Sequence, residues 1–86
     1  MHASISSIIA RLDSSVYLDR SDALFDIEAG ARHIKPADRA VIVGRLVGLR
    51  ERAIEGAIGR GCPSRAIAEE QDLGVLRIDE VINVLC

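Results

Sequence analysis

Apolar residues recur along this chain with a helical period. Ile5, Ile8, Ile9 and Leu12 fall at i, i+3, i+4 and i+7, and Ile78, Val81, Ile82 and Leu85 repeat the spacing near the other end. Such positions share one face of a helix. The pattern predicts helices over 3–12, 22–34, 36–60, 64–72 and 77–85. Ser14-Ser15 ends the first, and Val16, Tyr17 and Leu18 read as an apolar patch in a turn. Ser21 or Asp22 suits the N-cap of the second helix, whose stripe is Leu24, Ile27, Ala31 and Ile34. Asp26 and Glu28 lie early in that helix and His33 and Lys35 at its end, as the helix dipole favours.

Pro36 opens the third and longest helix, in a first turn that tolerates proline. Its expected stripe is Val43, Leu46, Val47, Ile54, Ala57 and Ile58, and Gly59 and Gly61 end it. Ser64 opens the fourth, with Ala66, Ile67 and Leu73 inward, and Gly74 breaks it. The closing VINVLC stretch is rich in β-branched residues, so a hairpin over 75–86 is the alternative there. Its Asp79-Glu80 turn lacks the Gly or Asn that two-residue hairpins need, and a helix is expected. The core predicted from these stripes is Ile8, Leu12, Leu24, Ile27, Ile34, Val43, Leu46, Val47, Ile54, Ile58, Ile67, Leu73, Ile78, Val81, Ile82 and Leu85.

A chain of 86 residues makes one domain, 1–86, and at that size buries only about 60–65% of its surface. Self-association is a natural way to bury more, and a homodimer is expected. The chain is 49% hydrophobic with one Phe, one Tyr and no Trp, so its core is aliphatic. The aromatic platforms of single-strand nucleic-acid binders are missing. No apolar run is long enough to span a bilayer and no signal-peptide pattern opens the chain. Cys62 and Cys86 form neither a CxxC motif nor a metal cluster. A reduced, cytoplasmic protein without membrane attachment is the expectation.

Charge changes this picture. Residues 1–31 carry a net −3, residues 32–65 a net +5 and residues 66–86 a net −4. The acidic, basic and acidic segments either complement one another within the fold or mark charged partners. The partner-binding candidates are Arg39, Arg45, Arg50 and Arg52 in the middle, and Glu69, Glu70, Asp79 and Glu80 in the acidic tail. An arginine row suits an acidic protein or a phosphorylated ligand. The acidic faces suit a basic groove.

Ala40, Gly44 and Gly48 follow one another at i+4 along the third helix. A helix-interior glycine costs about 1 kcal/mol relative to alanine. Small residues let another backbone approach, which makes these three the self-association candidates.

Ser64, Ile67, Ala68, Leu73 and Gly74 match in kind the SxxxIAxxLG run of bacterial helix-turn-helix proteins, so residues 50–86 resemble that pattern. The resemblance implies a DNA-binding regulator in which Arg65, Arg77 and Asn83 would touch nucleic acid. Two features depart from it. Two extra residues separate Ala68 from Gly74, and the second helix presents Asp79 and Glu80 to a backbone that supplies affinity through phosphates. Nucleic acid is therefore a disfavoured partner.

Catalysis finds no support. His2 and His33 are the only histidines, no nucleophile has a base at a meaningful spacing, and GRGCPS lacks the P-loop lysine. No enzyme, cofactor or metal site is expected. The expected fold is all-α, a compact four- to five-helix bundle with a helix-turn-helix-like C-terminal half. The expected function is that of a small non-enzymatic regulatory or inhibitory protein, of bacterial or phage type, acting on another protein or protein complex. The alternative is a small helix-turn-helix transcriptional regulator.

Overall fold

The computed structural model describes residues 4–86, and His2 and the predicted helix start at Ala3 lie outside that range. Five α-helices follow in order: α1 (Ile5–Leu12), α2 (Tyr17–Gly30), α3 (Pro36–Gly59), α4 (Arg65–Gln71) and α5 (Leu73–Leu85). One 3-10 turn, Ala31–His33, follows α2. The described chain contains no strand, so residues 75–86 are helix and not hairpin.

Local chemistry sets most of the boundaries. The Ser4 hydroxyl accepts the Ser7 N–H at 3.1 Å and caps α1. Pro36 stands at the first turn of α3. At the other end of α3, Gly61 takes φ +105°, and the Cys62 N–H reaches back to the Ala57 carbonyl at 3.0 Å. This six-to-one closure uses the left-handed conformation that glycine adopts without strain. Ser64 caps α4 through the Ile67 N–H at 3.2 Å.

Two boundaries differ from expectation. Tyr17 and Leu18 are helical, and α2 starts after Val16, which offers no side-chain cap; Ser21 and Asp22 lie inside the helix. Gly74 does not break a helix, because α5 already begins at Leu73. Asp72 alone separates α4 from α5, and its carboxylate accepts the Val75 N–H at 3.1 Å.

The 24 residues of α3 form a spine about 36 Å long. α5 runs back along it, so that Arg39 near the start of α3 donates to the Leu85 carbonyl at the end of α5. α5 therefore packs along both halves of the spine, whereas α4 packs against its C-terminal half. The main core joins Ile8, Leu12, Leu24, Ile27, Ile42, Leu46, Leu49, Ile78, Val81 and Leu85 with Ala23 and Ala31. A smaller cluster of Ile54, Ala57, Ala68 and Val75 joins the end of α3 to α4 and α5.

Within the expected core, Val47, Ile58 and Leu73 are exposed, whereas Ile42, Leu49, Val75 and four alanines, Ala23, Ala31, Ala57 and Ala68, are buried in addition. The reason on α3 is register. Val41, Ile42 and Val43 are consecutive and all β-branched, so the run satisfies a helical stripe in more than one phase. The fold keeps Leu46, Ile54 and Ala57 of the predicted stripe but buries Ile42 and Leu49 and leaves Val47 and Ile58 exposed. That choice turns Ala40, Gly44, Val47 and Gly48 to solvent.

Candidate functional site

Ion pairs join the acidic, basic and acidic segments inside one protomer. Arg50 on α3 binds Asp79 on α5 at 2.6 Å and approaches Glu69 on α4 at 3.7 Å. Arg65 on α4 binds Glu51 on α3 at 2.5 Å and Glu69 at 3.0 Å. Glu51, Arg65, Glu69, Arg50 and Asp79 thus form one chain of alternating charge across three helices. Arg45 binds Asp13 after α1 at 2.7 Å. Arg77 on α5 binds Glu28 on α2 at 2.7 Å and Glu80 at 3.2 Å. The Arg77 hydrogen bond holds the Glu28 carboxyl below the usual carboxylate range, and the Arg65 hydrogen bond does the same for Glu51.

Most of the charged candidates are occupied in this way. Arg39 spends its guanidinium on three backbone carbonyls, those of Ala31, Ile34 and Leu85. Among the described residues, Arg52 and Glu70 are exposed and have no polar partner. Asn83 is exposed, but its neighbours on the outer face of α5 include Leu76, Glu80 and Val84. Arg65 and Arg77, the cations of the nucleic-acid reading, are both held by carboxylates.

Ala40, Gly44 and Gly48 do come together, as a strip on the outward side of α3. A Cβ added at Gly44 or Gly48 would meet nothing within 4 Å. Close packing within the protomer therefore does not explain these glycines. Cys62 and Cys86 are both free of disulfides, and among the described residues no helix is long and apolar enough to cross a membrane.

A concave feature draws its lining from segments far apart in the sequence. α2 and α3 both pack beside α5, and an open groove of about 960 Å³ is lined by residues of all three. Leu24 from α2, Leu49 from α3 and Ile78 from α5 form its apolar floor, with Ala53 and Gly56 beside them. Tyr17 and Leu73 stand at its edges, 70% and 82% exposed. Arg20, Arg52, Arg60 and Arg77 surround it against a single carboxylate, Asp72. Arg20 donates to the Ser14 carbonyl at 2.8 Å and lies 6.0 Å from the centre of the Tyr17 ring. Leu18 and Phe25, both about two-thirds exposed, lie on the adjoining side of α2, outside the groove lining. Two signals pointed here: the Val16-Tyr17-Leu18 patch and the unpaired excess of arginine in the middle of the chain.

Comparison with protein-family models, with curated proteins and with solved structures returned no match. The fold is therefore defined by its own geometry, an all-α bundle with an arginine-rimmed, apolar-floored groove.

Proposed function

We propose that this is a small non-enzymatic protein that regulates or inhibits another protein, or a protein complex, by docking on it. The groove lined by α2, α3 and α5 carries the reading. Large apolar side chains at the surface of a small protein mark contact sites when they cluster around a concave, partly apolar floor. Tyr17 and Leu73 are placed in that way. The test is photo-crosslinking from benzoylphenylalanine introduced at position 17 or 73, in extract of the source cells, with position 66 on α4 as the control. The expected outcome is one protein partner captured from both groove positions and not from the control. Equal or absent capture at all three would sink the reading. The helix-turn-helix alternative is separated by random-sequence duplex DNA. Steeply salt-dependent binding would revive it, and no binding at low salt is expected.

A second reading, a homodimer through the outward side of α3, is favoured by one observation: the protomer leaves open space at Gly44 and Gly48. A glycine strip of this kind lets two helices meet closely. Sedimentation equilibrium is expected to give a dimer for the native chain and a monomer of unchanged helicity for Gly44→Leu. A native chain that sediments as a monomer removes this reading.

A further inference from the structure

We infer that the groove accepts an acidic amphipathic helix of the partner protein, seated along α3. This rests on the docking reading above and specifies its occupant. Arg52, Gly56 and Arg60 follow at i, i+4 and i+8, so they form one line along the groove side of α3. Arg52 is exposed with no partner among the described residues, and Arg60 is 69% exposed with only a 3.3 Å contact to Asp72. These are the two cations of the rim that are open to a newcomer. Arg77 is already held by Glu28 and Glu80, and Arg20 by a backbone carbonyl.

Gly56 shapes the space between them. A Cβ there would come within 3.2 Å of Nη1 of Arg60, so the guanidinium lies back over the glycine. Gly56 therefore leaves room for the Arg60 guanidinium to lie along the line toward Arg52, with Leu49 and Ile78 on the floor beside it. Eight residues of helix place the α-carbons of Arg52 and Arg60 about 12 Å apart. On a partner helix, carboxylates seven or eight residues apart match that span. A leucine or phenylalanine midway between them would lie on the same face and enter the floor. Charge complementarity sets the sign of the occupant and the apolar floor its amphipathic character. A nucleic acid would match the cations but would leave the floor unfilled.

The probe is a fluorescein-labelled helical peptide with glutamates seven apart and a leucine between them. Its controls are the same peptide with lysines for glutamates, the same peptide with alanine for leucine, and a single-stranded oligonucleotide. Fluorescence polarisation is expected to show binding of the acidic peptide alone, weakened by salt. Arg52→Glu is expected to reduce its affinity about tenfold or more, and Leu73→Ala several-fold. Circular dichroism checks that both variants keep their helicity, since both positions are exposed. Failure of the acidic peptide to bind, equal binding of the lysine peptide, preference for the oligonucleotide, or indifference to Arg52→Glu would each overturn the inference. A partner captured at position 73 through a basic segment would overturn it while leaving the docking reading intact.

Discussion

Leu46 and Leu73 are both helical leucines, with opposite fates. Leu46 is fully buried on α3 among the main-core residues. Leu73 opens α5 and is 82% exposed, because Val75 and Ile78, two and five positions on, take the inward face. Truncating a fully buried leucine removes its contacts and leaves a cavity, which costs about 2–5 kcal/mol. Leu46→Ala is expected to lose that much in equilibrium denaturant unfolding, whereas Leu73→Ala should stay within about 0.5 kcal/mol of the native chain. A loss below about 1 kcal/mol for Leu46→Ala would mean that the spine is not packed at its centre. The contrast also makes Leu73 a clean probe of docking, since its removal does not disturb the core.

At the scale of elements, boundaries set by hard local chemistry were legible and faces set by tertiary choice were not. Pro36 and Gly61 delimit α3 because proline and left-handed glycine act on their own backbone, whatever lies around them. The buried face of α3 had no such local signal. Val41, Ile42 and Val43 are interchangeable in propensity, and only packing in the main core, with residues of α1, α2 and α5, selects Ile42. Gly74 misled for a related reason. Glycine in a helical pattern reads as a stop, yet here it lies in the first turn of α5, where a Cβ would come within 3.1 Å of the capping carboxylate of Asp72. The same side chain also approaches Arg60 at 3.3 Å. One aspartate thus ends α4, starts α5 and touches the groove rim.

For the whole molecule, the segmented charge of the sequence left two readings open, and the fold joins the segments through Arg50, Arg65, Arg45 and Arg77. Which arginines remain outward could not be read along the chain. Arg77 finds Glu28 across 49 positions, and Arg52 is left over only after the others are matched. The groove was only hinted at for the same reason, because its lining comes from α2, α3 and α5, far apart in the sequence. The pairing has a consequence for acid stability. Hydrogen bonds from Arg77 and Arg65 lower Glu28 and Glu51 from an ordinary value of 4.5, so the folded state holds their charged forms more firmly than the unfolded chain does. The stability they contribute is complete above that ordinary value and is lost as pH falls through the lowered ones. Thermal unfolding followed downward from about pH 7 should therefore show a falling midpoint once the ordinary carboxylate range is entered. Glu28→Gln should lower the midpoint at neutral pH and flatten the acid limb, because the link between α2 and α5 no longer titrates. An acid limb that keeps its native slope in Glu28→Gln would mean that Arg77 does not hold Glu28 in solution.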